Sequence, residues 1–196
     1  GKTTISTMVA HTLQHSQEGC TAFLGGISVN YNTNLLLNSN NILVAEADEY
    51  DRSFLQLWPH IAVITSADAD HLDIYNSHQS VLDSFATFAS QVSSEGALIV
   101  KKGLESSITR EVKAKVYASS IDPLGRGLFS FTLHHPKGVI EKCSVGTPGW
   151  VNVENGIAAA AAALLHGTSP LEVKRALATF KGVKRRFETV LAQKSA

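Results

Sequence analysis

Ile42-Leu43-Val44-Ala45-Glu46-Ala47-Asp48-Glu49-Tyr50-Asp51 is the stretch on which the fold turns. Four apolar residues run straight into four carboxylates spread over six positions. A short apolar run bounded by polar residues reads as a buried strand. The acidic turn then falls at its carboxyl end, where open α/β sheets hold their ligands. Residues 61–65 repeat the pattern and end at Ser66-Ala67-Asp68-Ala69-Asp70-His71. Further strands are expected at residues 21–24, ending at Gly25-Gly26, and at residues 97–100. Helices separate them. One starts at Gly1-Lys2-Thr3-Thr4 and is spent by Gly19, with Ile5, Met8, Val9, Thr12 and Leu13 at helical spacing. Val81, Phe85, Phe88 and Val92 mark another. This alternation predicts an α/β fold, a mostly parallel sheet of the P-loop type flanked by helices.

The asparagine-rich residues 31–41 read as loop. Residues 128–133 and 139–145 read as strands joined by Pro136-Lys137-Gly138, an antiparallel hairpin added to the main sheet. An alanine-rich helix follows over residues 151–165. Ser169-Pro170-Leu171-Glu172 is a capping box that opens a helix running to about Phe180. Residues 181–186 form a basic connector, and residues 187–191 begin a further strand.

Bulk properties limit the function. Seventeen basic and seventeen acidic residues give a formal net charge of zero, which argues against nucleic acid or an anionic membrane as a partner. No apolar run approaches the ~20 residues of a membrane span. Cys20 and Cys143 lie far apart and read as reduced cytosolic thiols that serve as packing groups.

Three clusters carry possible chemistry. Gly1-Lys2-Thr3 matches the tail of a phosphate-binding loop: helix-start N–H groups, a lysine for β/γ charge and a hydroxyl for Mg²⁺. The bland alternative is a chance Gly-Lys-Thr before a helix. Glu46 would pair with Thr3 at a metal-facing site, since Mg²⁺ takes carboxylate and hydroxyl oxygens; the alternative is a solvated acidic turn. His71 stands between acids at the next strand end as ligand, base or capping group, although Mg²⁺ seldom takes nitrogen. His11 and His15 share the polar face of the first helix with Gln14 and Glu18, and His134-His135 reads as solvated.

These motifs resemble the Mur ligases of peptidoglycan synthesis. The resemblance rests on Ala-Glu-Ala-Asp-Glu-Tyr-Asp-Arg-Ser-Phe from Ala45, Asp-Ala-Asp-His-Leu-Asp-Ile-Tyr from Asp68, Asn152-Val-Glu-Asn155, and Gly182-Val-Lys-Arg-Arg-Phe187. It implies an ATP-binding central domain over residues 1–182, then a hinge and the stub of a following domain over residues 183–196. It implies ATP with Mg²⁺ or Mn²⁺ as cofactors. Its implied substrates are UDP-N-acetylmuramate and L-alanine, joined in the bacterial cytoplasm through an acyl phosphate. Gly1, Lys2, Thr3 and Thr4 would hold the phosphates, with Lys2 on the β/γ pair. Thr3 and Glu46 would bind Mg²⁺, and His71 a second metal between γ-phosphate and substrate carboxylate. Asn152 and Asn155 would hold the adenine end, and Arg186 would reach the nucleotide from the hinge. Gly25, Gly26 and Asn30 resemble a substrate-side loop. The phosphate loop's first glycine does not precede Gly1 in the given chain, so this piece is expected to be inactive alone and to bind ATP poorly. Rival readings are the related ligase that recycles a tripeptide and a P-loop switch that hydrolyses nucleotide to change shape.

Overall fold

The computed structural model describes residues 1–68, 75, 77–108 and 115–186. Helix α1 spans Lys2–His15, and strand β1 spans Thr21–Ser28. Next come β2 (Thr33–Leu36), β3 (Leu43–Ala45), a 3₁₀ turn (Ser53–Gln56) and β4 (Ile61–Ile64). Helix α2 (His78–Ser90), β5 (Ala97–Val100) and the short α3 (Glu105–Ile108) follow. Strands β6 (Tyr117–Gly125), β7 (Leu128–His135) and β8 (Gly138–Ser144) precede α4 (Trp150–His166) and α5 (Pro170–Thr179).

The parallel pairings expected of the fold are present. β1 pairs parallel with β3, Ala22 opposite Val44, and β4 pairs parallel with β5, Val63 opposite Ile99. Two strand pairings differ from the sequence reading. The asparagine-rich stretch contains β2, which folds back antiparallel on β1 with Phe23 opposite Leu35. The run Thr33-Asn34-Leu35-Leu36 carries enough β-forming and apolar character to pair once β1 offers an edge. The hairpin β7–β8 is not appended to the parallel strands. It makes its own three-stranded antiparallel sheet with β6, in the order β6-β7-β8. Pro123 and two register shifts in β6 hid that strand from its sequence pattern.

One core joins the antiparallel sheet to the helices. Phe131, Leu133, Ile140 and Cys143 pack with Met8 of α1, Ala159, Ala160 and Ala163 of α4, and Val173 and Leu177 of α5. The alanines let α1 and α4 approach closely. These two helices run in the same direction, because their carboxyl ends meet: His166 Nε2 lies 3.0 Å from Glu18 Oε2, just beyond α1. A second core holds Phe54, Ala62, Ile64 and Phe88 under β4 and α2. Cys20 and Cys143 are both buried and unpaired, as their reading as packing groups requires. The expected capping box at α5 is complete, with Ser169 and Glu172 exchanging side-chain and backbone hydrogen bonds. Residues 187–191, read as the start of a strand, lie outside the described residues.

Candidate functional site

The site grows from three local choices of sequence. Thr3, in the first turn of α1, is 1% exposed and donates its hydroxyl to Glu46 Oε1 at 3.0 Å. Glu46 is there because β3 ends at Ala45 and delivers the next residue to the carboxyl edge of the sheet. Gly25, within β1, completes the arrangement by having no side chain: a Cβ there would collide with Glu46 Oε2 and come within 3.0 Å of Thr3 Oγ1. β1 therefore runs through Gly25-Gly26 instead of ending there. In a strand interior, glycine marks a close approach by another group. Gly26 is closed in similarly by Val183.

The second carboxylate oxygen of Glu46 is buried and has no hydrogen-bond partner. A buried anionic oxygen left unmatched costs roughly 1–3 kcal/mol or more, so native sites keep such a group where something else will meet it. A carboxylate oxygen beside a threonine hydroxyl is the donor set of a hard divalent cation, which usually takes one or two carboxylates plus phosphate oxygens and waters. Among the described residues no group of three or more His, Cys, Asp or Glu side chains converges on one point. The Thr3 and Glu46 donor set fits Mg²⁺ shared with a phosphate.

Lys2 lies beside this pair at the start of α1. Its ammonium is bonded to Glu49 Oε2 and stands 3.4 Å from Asp48 Oδ1. Partial burial works against the charge, but the Glu49 and Asp48 carboxylates outweigh it and hold the pKa above the ordinary lysine range. Lys2 is thus fully charged at neutral pH. Gly1 and Lys2 are exposed, and Thr4 is half-buried.

Helix α4 brings the second half of the site. Because α1 and α4 run in the same direction, their amino ends lie at one end of the helix pair. Lys101, just past β5, confirms the placement by bonding Glu154 near the start of α4 at 3.1 Å. Asn152 and Asn155 are both buried there. Asn152 Nδ2 donates to Pro148 O at 2.7 Å, and Asn155 Nδ2 donates to Asn152 Oδ1 at 3.2 Å. Neither α1, with Gly1 before it, nor α4, with Gly149 before it, has a side-chain cap. Helices α2 and α5, by contrast, are capped by Ser77 and Ser169. Uncapped helix starts leave N–H groups and a positive dipole end available to an anion.

The connector after α5 docks onto the end of β1. Val29 donates to Gly182 O at 3.0 Å and Lys184 to Ile27 O at 2.9 Å, which puts Arg186, exposed, next to the carboxyl edge. Asn30, in the loop that resembles a substrate-side loop, also holds the connector. Its amide clamps the chain, donating to Thr179 O at 2.9 Å and accepting from Lys181 N at 2.8 Å.

Of the histidines singled out in the sequence, one is not described and two are placed differently from expectation. His71 lies outside the described residues. His11 is not on the polar face of α1; it is 3% exposed, with both ring nitrogens engaged. His134 is stacked on Tyr117 at 4.5 Å and bonded to Ser119 Oγ, not simply solvated. One contributor escaped the sequence reading. Tyr75, 1% exposed, donates its hydroxyl to Glu49 O at 2.5 Å while Arg52 covers its ring at 4.9 Å. Tyr75 thereby ties the turn after β3 to the chain beyond β4. An aromatic closing an acidic run was the available signal.

This geometry sits on a known fold. The Mur ligase middle domain model matches residues 1–163. The chain belongs to the Mur ligase family, as its middle domain. UDP-N-acetylmuramate–L-alanine ligases of Phocaeicola vulgatus and Porphyromonas gingivalis are each 46% identical to it, over 96% and 97% of the chain. The chain spans only 43% and 44% of those relatives' length. The crystal structure of the Thermotoga maritima UDP-N-acetylmuramate–alanine ligase superposes with a TM-score of 0.84 at 27% identity, over 98% of this chain and 46% of that one. A Neisseria ligase that joins UDP-N-acetylmuramate to a tripeptide shares the fold, with a TM-score of 0.80 at 23% identity over 94% of this chain and 64% of that one. No described helix is long and apolar enough to cross a membrane.

Proposed function

We propose that residues 1–182 are the ATP-binding domain of a cytoplasmic bacterial ligase that joins L-alanine to UDP-N-acetylmuramate, with residues 183–196 leading into a following domain. The observation that carries the reading is Glu46: a buried carboxylate oxygen without a partner, on a side chain bonded to Thr3 at the uncapped start of α1. The names of the two relatives at 46% identity support the choice of substrates.

In this reading Gly1, Lys2, Thr3 and Thr4 hold the phosphates of ATP. Lys2 exchanges its Glu49 and Asp48 contacts for the β/γ oxygens. Thr3 and Glu46 would hold Mg²⁺, which would supply positive charge to the phosphate oxygens. The muramate carboxylate oxygen bonds to the γ-phosphorus as the bond to ADP breaks, giving an acyl phosphate. The amine of L-alanine then attacks the acyl carbon, phosphate leaves, and the amine loses a proton. Asn152 and Asn155 take the adenine end, and Arg186 approaches the nucleotide from the connector. His71 remains part of the proposal as ligand to a second metal. Imidazole suits Mn²⁺ better than Mg²⁺, so a His71→Ala defect in acyl-phosphate formation should change size between the two metals, with ATP affinity kept.

The test is phosphate release by the full-length protein, with each acceptor omitted in turn. Release that requires both UDP-N-acetylmuramate and L-alanine supports the ligase. Release that needs neither supports a nucleotide switch, and release with a tripeptide in place of L-alanine supports the recycling enzyme.

A further inference from the structure

Two turns beyond Thr3, α1 carries a second polar cluster that the reaction does not use. His11 Nδ1 lies 2.8 Å from the Tyr31 hydroxyl and His11 Nε2 lies 3.1 Å from Thr179 Oγ1. His15 Nε2 approaches the same threonine oxygen at 3.2 Å. Thr179 donates its single hydroxyl hydrogen to the α5 carbonyls of Arg175 or Ala176, at 3.0 and 3.2 Å. Its lone pairs therefore accept, which puts a hydrogen on His11 Nε2 and leaves Nδ1 to accept from Tyr31. One neutral tautomer satisfies every member of the cluster.

The position of this cluster matters more than its completeness. Thr179 is the last residue of α5, and residues 180–186 leave from it towards Arg186. The same residue's carbonyl is held by Asn30, which also takes the Lys181 N–H. Phe180 lies against the His11 ring, with centroids 5.8 Å apart. Three elements thus meet at one point: the helix that follows the phosphate-binding turn, the β1–β2 turn, and the base of the connector.

We propose that His11 is a positioning residue that, through Thr179, anchors the base of the connector at residues 180–186 to the phosphate-side helix, so that motion of a following domain starts beyond the anchor. The proposal rests on the reading of that connector as a hinge. Closure of the following domain then pivots about a point fixed relative to Lys2 and Thr3. Loosening the anchor lets the connector shift without disturbing the nucleotide's own contacts.

The experiment uses the full-length protein and four variants. Thr179→Val removes the hydroxyl while keeping the shape. His11→Phe removes both ring bonds, and His11→Gln restores a donor towards Thr179. Phe88→Leu, in the separate core under β4, controls for general loss of stability. Thr179→Val and His11→Phe should speed hydrogen exchange at the Lys181 and Lys184 amides by roughly tenfold, the scale of one lost hydrogen bond. They should also lower kcat while leaving KM for ATP within about twofold. His11→Gln should recover part of both effects, and Phe88→Leu should show neither. Wild-type exchange at Lys181 and Lys184 in Thr179→Val overturns the proposal, as does an equal rise in Phe88→Leu. If His11→Phe fails to fold, Thr179→Val decides alone. If wild-type protein releases no phosphate with the two acceptors, the ligase reading fails, while the exchange rates still decide the anchor.

Discussion

Helix α1 bears two polar clusters with opposite accounts of their hydrogen bonds. At Thr3 and Glu46, one buried oxygen has no partner. At His11, both ring nitrogens and the threonine between them are satisfied. Each cluster has one fully buried member, Thr3 in the first and His11 in the second, so a buried polar side chain does not by itself separate site from scaffold. The two clusters differ in whether protein groups alone complete the hydrogen bonds, and at Glu46 the atom left over is a carboxylate oxygen, whereas the other unpartnered buried atoms, on Ser28, Thr147 and Thr168, are neutral hydroxyls.

The sharpest way to break this contrast is at Glu46. Glu46→Gln keeps the shape and removes the charge, so turnover in the full-length protein should fall by roughly 100-fold or more while the melting temperature holds or rises. Gly25→Ala, which pushes a methyl group into the same space, should have an equal effect on turnover. A large loss of stability in Glu46→Gln, with turnover intact, would make Glu46 scaffold.

The His11 cluster should fail in the opposite way, by acid. Burial, then the neighbouring charge of His15, lowers the His11 pKa to about 4. The unfolded chain takes up this proton near pH 6.5 and the folded one only near 4. Stability from neutral His11 is therefore present above about pH 6.5 and is lost as pH falls towards 4, to a total of roughly 3 kcal/mol. His15 and Tyr31 are the titratable groups that face it. Denaturant melts between pH 7 and 4 should show this slope in the wild type and a shallower one in His11→Phe.

A smaller effect is expected at Lys2. Lys2→Ala should lower turnover by about tenfold to 100-fold, because its charge matters most as the γ-phosphoryl group departs. A mutant altered only in KM for ATP would count against that role. The smallest change belongs to a helix cap. Ser169→Ala should cost about 1 kcal/mol, measured by denaturant unfolding, and leave turnover unchanged.

The parts of this molecule that were legible in the sequence are those with short-range causes. The acidic turn after β3, the capping box at Ser169 and the parallel strands each follow from a few adjacent residues. The pairing of Thr3 with Glu46 was also readable, because strand-end position is a rule of the fold and not of one protein. What escaped depends on distant partners. His11 looks polar-faced from its spacing with His15 and Gln14, and only Thr179, 168 positions away, makes it a core residue. Asn30 likewise shows its role only when Thr179 and Lys181 arrive beside it. Strand β2 needed the open edge of β1, and β6 needed β7, so neither could be read from its own asparagines or proline.

Helices α1 and α4 share a direction, lie close through small alanines, and are fastened at their far ends by Glu18 and His166. Two rods bound in this way form a gauge of fixed span. Widening the gap between their uncapped starts would part the fully buried methyl groups of Ala159, Ala160 and Ala163 from the core. Selection by length would then need no dedicated contact at all. Ala160→Leu, which adds bulk at a fully buried position of this core, should weaken discrimination between nucleotides of different size while leaving the polar side chains at the helix starts unchanged.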